Sequence, residues 1–175
     1  MEASNRKDAS DQWTVLLNIG AEQTTLTIGT AERPVTVMHL PIGTQRTSRE
    51  HFRHPAPTPL ELENAIQTIE DAIAPARARI HASARLYSAD PIAHQLTDEA
   101  HSSDTLIPVV SLEQVESAFD QLASDILAGK TTRAAYAAEL TILREFMHHM
   151  RFSTLTPLTV DASSRATETN PPDQP

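Results

Sequence analysis

One stretch of this chain gathers side chains that could bind an anion: LPIGTQRTSREHFRH, residues 40–54. If a helix begins near residue 47 or 48, Arg49 and Arg53 lie one turn apart on one face, with Arg46 just before it. Three guanidinium groups beside free helical N–H groups would form an anion-binding site in an otherwise acidic protein.

The same arginines have a simpler explanation. Arg49 and Arg53 could pair with acidic side chains of the helix that follows, and exposed pairs of this kind contribute only ~0–1 kcal/mol each. The acidic side chains in question are Glu61, Glu63, Glu70 and Asp71. The sequence leaves both explanations open.

Histidines offer a metal site as a second kind of chemistry. Glu50 and His54 are four residues apart and would share a helical face, with His51 between them, while His148 and His149 lie near the end of the last helix. Imidazole and carboxylate ligands need no cysteine. Two ligands on one helix do not complete a site, so we assign no metal and no cofactor. The weak metal candidates are Glu50, His54, His148 and His149.

Composition excludes several classes of protein. The 175 residues carry 14 Lys+Arg against 23 Asp+Glu, and the net charge of −9 argues against nucleic-acid binding. The absence of cysteine excludes disulfides, thiolate zinc sites and a cysteine nucleophile. Neither a glycine-rich phosphate loop nor a Gly-x-Ser-x-Gly elbow occurs, and we assign no catalytic residue. With no signal peptide and no transmembrane stretch, we expect a cytoplasmic protein that binds no membrane.

The spacing of apolar residues predicts an α+β fold. Alternation over residues 12–40, interrupted by two turns, predicts a small N-terminal antiparallel sheet of three strands, packed against four to five α-helices. Residues 12–160 form one domain in this prediction. The polar stretches 1–11 and 161–175 are predicted to be disordered tails.

Helix boundaries are signalled by capping residues. Thr58–Glu61 and Ser111–Gln114 are capping boxes that begin two helices, and Pro75 must kink or split the first of them. Asp90-Pro91 begins a shorter helix, and residue 131 or 132 opens the last one.

The end of the last helix gathers Phe146, Met147, Met150 and Phe152. These side chains form either plain core or a patch that binds a partner. A three-stranded sheet also leaves two open edges, so a homodimer that pairs an edge or this helix end is a further expectation.

The segment LLNIGAEQTTLTI, residues 16–28, resembles the first hairpin of the actin-like ATPase superfamily, in particular the exopolyphosphatase/guanosine pentaphosphate phosphatase family. In that family the pattern is strand, Asp-x-Gly-Ser/Thr, tight turn, strand, and the turn cradles phosphate. The LPIG block and the helix after it are similar to the family's third strand and first helix, so the resemblance covers the first 75 residues. Only Gly20 is kept, since Asn18 stands at the acidic position and Ala21 at the Ser/Thr position.

This resemblance implies a half-domain that has lost catalysis, because the superfamily closes its active site between two domains. The blocks LPIGTQRT, HFRHPAPTPLELENAI and ILREFMHH also resemble small proteobacterial proteins, which implies no particular activity. We therefore expect a non-catalytic module that binds a partner protein or a small anion. The expected binding residues are Gly20, Arg46, Arg49, His51, Arg53 and His54. The alternative is a phosphohydrolase or metal-assisted hydrolase that uses residues 46–54.

Overall fold

A computed structural model of the chain describes residues 12–30, 33–99 and 108–159. The predicted tails, 1–11 and 161–175, lie outside the described residues. Within the described residues, strands and helices share one hydrophobic core. No helix in the described ranges has the length and apolar character needed to cross a bilayer.

The described strands form one mixed sheet in the order β3-β2-β1-β4-β6-β5. The first three strands pair antiparallel, as the alternation predicts. Beyond them, β4 pairs parallel with β1, β6 pairs parallel with β4, and β5 pairs antiparallel with β6. Their bounds are β1 Trp13–Ile19, β2 Thr24–Thr30, β3 Arg33–Leu40, β4 Arg85–Ser88, β5 Val110–Ser111 and β6 Thr154–Pro157.

The described part of the sheet therefore has six strands, and the prediction of three was wrong in number although the fold class holds. The missed strands β4 and β6 have four residues each, and β5 has two. Segments this short carry too little alternation to be recognised. Their pairing depends on distant strands, because β4 hydrogen-bonds to β1 only after a long crossover.

Five α-helices and one 3₁₀ helix are found in the described part of the chain. Their bounds are α1 Thr44–His51, α2 Pro59–Ile73, the 3₁₀ helix Ala74–Ala78, α3 Pro91–Glu99, α4 Leu112–Leu127 and α5 Ala134–Met150. Both predicted capping boxes are present, at the starts of α2 and α4. At Pro75 the chain passes from α2 into the 3₁₀ helix, so the helix splits as predicted.

Two helix starts differ from the prediction. Helix α1 begins at Thr44 rather than at residue 47 or 48, and α5 begins at Ala134 rather than at residue 131 or 132. Neither N-cap residue, Gly43 or Arg133, makes a side-chain capping bond, so the usual sequence signal is missing. Because α1 ends at His51, Arg53 lies outside it and does not share a helical face with Arg49.

Helix α5 is buried on almost every side, and α1, α2 and α4 all pack against it. The Phe and Met side chains at its end, Phe146, Met147, Met150 and Phe152, are all buried. They belong to the core rather than to an exposed partner-binding patch.

Gly43 is the point at which α1 meets the β1–β2 turn. A Cβ atom at this position would lie 2.5 Å from the Ala21 carbonyl oxygen and 2.7 Å from that of Gly20. Contacts this short involve backbone that cannot easily give way. A glycine is therefore required here by close approach, not by a left-handed conformation.

We predict that Gly43→Ala destabilises the protein by about 1–3 kcal/mol and separates the start of α1 from the turn. The control is Gly129→Ala, where a Cβ meets nothing and only the left-handed φ of 69° costs about 1–2 kcal/mol. Hydrogen exchange distinguishes them: the amides of residues 44–46 should lose protection in Gly43→Ala alone. Equal protection of these amides in both variants would contradict the prediction.

Candidate functional site

The start of α1 is capped by the turn between β1 and β2. The N–H of Thr44 donates to the Gly20 carbonyl at 2.9 Å, and those of Gln45 and Arg46 donate to the Ala21 carbonyl at 2.9 and 3.1 Å. These amides are the groups that a helix start would offer to an anion. The expectation of free helical N–H groups at this segment was therefore wrong.

Two of the three predicted guanidinium groups are held in ion pairs. Arg49 makes a bidentate pair with Glu22, with nitrogen–oxygen distances of 3.1 and 2.9 Å, and this lowers the pKa of Glu22. The Nε of Arg46 donates to Glu50 at 3.0 Å. The expectation that Arg49 pairs with the following helix was wrong in its partner, because Glu22 lies in the β1–β2 turn.

Glu61 organises the loop between α1 and α2. Its carboxylate accepts hydrogen bonds from the N–H groups of Thr58 (2.8 Å) and Arg53 (3.0 Å), and it lies 2.8 Å from Nδ1 of His54. Burial acts to raise the pKa of Glu61, but these hydrogen bonds outweigh it and hold the pKa at about 2. The predicted pairing of Arg53 with α2 thus exists through its backbone, not its guanidinium.

An open groove of about 600 Å³ lies between the end of α1 and α2. We call it the Arg–His groove; its walls include Glu50, His51, Arg53, His54, Glu61 and Asn64. The Nε2 atom of His51 is buried without a hydrogen-bond partner in the described structure. Of the six expected binding residues, three line this groove, whereas Gly20, Arg46 and Arg49 do not.

A buried carboxylate lies where β1 and β4 end. Asp90 follows β4 and is only 4% exposed. Its Oδ2 accepts from the Ile19 N–H at 2.9 Å and from the Ser88 hydroxyl at 2.7 Å, and the Asn18 amide donates to Oδ1 at 3.4 Å. Burial raises the pKa of Asp90, although the bonds from Ser88 and Ile19 oppose the shift.

A second carboxyl group, Glu139 of α5, interacts with Asp90. Burial and the charge of Asp90 raise the pKa of Glu139, while a hydrogen bond from the Ile92 N–H and the charge of Arg133 act to lower it. Sequence reasoning missed both carboxyl groups, treating Asp90 only as a helix start. The sequence gives no usable signal for Asp90, because β4, which precedes it, is too short to be recognised, and Glu139 has no local signal either.

One group of three potential metal ligands exists among the described residues: Glu70, Glu145 and His149, with one ligand atom of each within 4.8 Å of the others. The ring of His148 instead lies 3.5 Å from Glu116. The predicted metal candidates therefore do not converge. His149 is in this group, and Glu50, His54 and His148 are outside it.

No family model and no curated protein matches this chain in sequence. Solved structures do match. The Aquifex aeolicus PPX-GPPA enzyme superposes with a TM-score of 0.67 at 15% identity, covering 84% of this chain and 53% of that one. An exopolyphosphatase-like protein gives 0.65 at 14% identity, covering 90% and 57%. An exopolyphosphatase from Cytophaga hutchinsonii gives 0.59 at 14% identity, covering 85% and 54%.

The chain thus shares its fold with phosphatases of the Ppx/GppA type, which confirms the resemblance carried by the first hairpin. It spans about half the length of the structures that it matches. At 14–15% identity this likeness shows the fold alone.

We predict that Asp90→Ala destabilises the protein by about 2–4 kcal/mol, because the N–H of Ile19 and the hydroxyl of Ser88 lose their buried acceptor. Asp90→Asn keeps one acceptor oxygen and should cost less. Chemical denaturation measures both, with the exposed Asp120→Ala as control. Wild-type stability for Asp90→Ala would contradict this role.

The raised pKa of Asp90 also predicts a pH dependence. The part of the stability that comes from this shift is fully present below the unfolded pKa of 3.8 and is lost as the pH rises through the raised folded pKa. Asp90→Asn should therefore lose less stability than the wild type over this rise in pH.

Proposed function

We propose that this chain is a degenerate domain of the Ppx/GppA phosphatase type that binds a partner protein and does not hydrolyse phosphate compounds. The observation that carries the proposal is the state of the β1–β2 turn. A turn that cradles phosphate must present hydrogen-bond donors to the ligand. Here the first amides of α1 donate to the carbonyls of Gly20 and Ala21, and the Gly20 N–H donates to the Gln23 carbonyl within the turn, so none of these donors is free for a phosphate.

The residues that stand at the acidic and the Ser/Thr positions of the family's turn support the same proposal. Asn18 carries no charge, so it cannot hold a divalent cation or orient water as a carboxylate would. Its amide donates to Asp90 instead. Ala21 has no hydroxyl to offer a phosphate.

The carboxylate of Asp90 is hydrogen-bonded within the protein. Both of its carboxylate oxygens accept hydrogen bonds from β1 or β4, and it is almost completely buried. A carboxylate in this state joins strands together, and its Oδ2 already accepts two hydrogen bonds. This supports a structural role for Asp90.

A hydrolase built on residues 46–54 is not favoured. Arg46 and Arg49 are committed to Glu50 and Glu22, and the described residues of this segment join no group of three metal ligands. His54 is held by Glu61. No arrangement of nucleophile, base and metal is assembled from these side chains.

The Arg–His groove is the surface we assign to binding. The Arg53 guanidinium makes no ion pair within the described ranges, and Arg53 lines the groove together with His51 and His54. A small anion placed there would also meet the carboxylates Glu50 and Glu61. A polypeptide segment can satisfy both signs at once, with an acidic side chain on Arg53 and its own N–H groups on the carboxylates. We therefore assign the groove to a protein partner rather than to a small anion.

We predict no phosphatase activity. With Mg²⁺ and polyphosphate, guanosine pentaphosphate or p-nitrophenyl phosphate, phosphate release should equal that of a protein-free control. Glu139→Gln should behave as the wild type does, because no turnover depends on this carboxyl group. Measurable release that Glu139→Gln abolishes and Asp120→Asn preserves would overturn the proposal.

We predict that a photoreactive benzoylphenylalanine at position 64, in the groove, crosslinks one protein in the cells that express this chain. The crosslink should fall about tenfold in Arg53→Ala, because the guanidinium contacts the partner directly. It should persist in Arg49→Ala, whose side chain pairs with Glu22 outside the groove.

The same probe at exposed position 117 on α4 is the matched control for nonspecific capture. A crosslink that is insensitive to Arg53→Ala, or is equally strong at position 117, would contradict the assignment of the groove. Loss of the crosslink on adding inorganic phosphate at millimolar concentration would identify the groove as an anion site instead.

A further inference from the structure

We propose that Glu70, Glu145 and His149 form a binding site for a divalent transition-metal ion, with Zn²⁺ as the best-suited ion. The site lies toward the opposite ends of the parallel strands from Asp90. Glu70 is near the end of α2, which leads through the 3₁₀ helix toward the start of β4, and the other two ligands are at the end of α5, just before β6. Asp90, in contrast, follows the end of β4.

The spacing of the three ligand atoms suits a metal ion. Nε2 of His149 lies 3.1 Å from Oε1 of Glu70 and 3.4 Å from Oε2 of Glu145. Zinc bonds of about 2.1 Å in a tetrahedral arrangement place neighbouring ligand atoms about 3.4 Å apart. The ligand atoms of Glu70 and Glu145 lie within 4.8 Å of each other, so the three side chains are close enough to enclose an ion.

Glu145 provides an independent sign of a missing ligand. Its side chain is 0% exposed, and its Oε2 atom has no hydrogen-bond partner in the described structure, although it faces His149. Its other oxygen, Oε1, accepts from Nη1 of Arg144 at 2.5 Å. A buried carboxylate oxygen without a donor is costly, and a metal ion between Glu145, His149 and Glu70 would remove that cost.

The scaffold holds these ligands in place. Glu145 and His149 are four residues apart on α5 and therefore lie on the same side of this buried helix. Glu70 comes from α2, which packs against α5. Arg144, whose guanidinium carbon lies 5.0 Å from the centre of the Phe119 ring, fixes the second oxygen of Glu145 from outside the ligand set.

The ligand types select the class of ion. One imidazole and two carboxylates suit Zn²⁺ and related first-row ions better than a soft ion that needs thiolates. Three protein ligands also leave one position of a tetrahedral site open. The side chains of Glu70 and His149 are 35% and 36% exposed, so an ion can reach them from solvent.

The test uses the full chain without an affinity tag, freed of metal by a chelator and titrated with Zn²⁺ and with Co²⁺ near neutral pH. Calorimetry should give one site per chain, and bound Co²⁺ should show a visible absorption band. Both His149→Ala and Glu70→Gln should weaken binding about tenfold or more. The matched control is His148→Ala, which removes the neighbouring imidazole, itself beside Glu116 and outside the ligand set.

Because Glu145 is buried, its substitution could unfold the protein. The decisive variants are therefore those of the two partly exposed ligands, His149 and Glu70. Circular dichroism checks that these variants are folded. Absence of saturable binding up to millimolar metal would overturn the proposal. So would equal binding by His149→Ala and His148→Ala. A His149→Ala variant that loses stability while the wild type binds no metal would assign His149 to an ion pair between two carboxylates, which also overturns the proposal.

Discussion

The buried carboxylate of Asp90 joins the two central parallel strands at their carboxyl ends. Its partners on β1, Asn18 and Ile19, are 72 and 71 residues away in sequence. Two parallel strands need a long crossover between them, and here that crossover contains α1 and α2. The end of β1 is thereby fixed, and with it the position of the β1–β2 turn. The cap of α1 and the Arg–His groove depend on this position.

The β1–β2 turn determines what α1 can do. The carbonyls of this turn accept hydrogen bonds from the first amides of α1. The positive end of the helix therefore interacts with the protein itself rather than with a ligand. Glu22, in the same turn, also neutralises Arg49. Of the arginines in this segment, Arg49 thus docks α1 onto the turn, whereas Arg46 pairs with Glu50 inside α1. Arg53 does not pair with the turn, because it lies beyond the end of α1.

Sequence reasoning succeeded where the determining interactions are local. The strands β1–β3 and the capping boxes at Thr58 and Ser111 depend on residues close together in the chain, and all were predicted correctly. The start of α1 was missed because backbone carbonyls of a distant turn cap it. The pairing of Arg49 with Glu22 was missed because the two residues are 27 positions apart in the chain. No local sequence pattern predicts that Asp90 and Glu139, or Glu70 and Glu145, come close together in the folded protein.

Helix α5 carries carboxylates in two contrasting situations. Near its start, Glu139 receives a hydrogen bond from α3, and the neighbouring Asp90 has donors for both oxygens. Near its end, Glu145 is fully buried, yet one oxygen has no donor in the described structure. A ligand is expected where the protein's own donors are insufficient, because only there does binding remove an existing cost. By this criterion, the group of Glu70, Glu145 and His149, toward the starts of β4 and β6, is a better candidate for ion binding than Asp90 at the ends of β1 and β4.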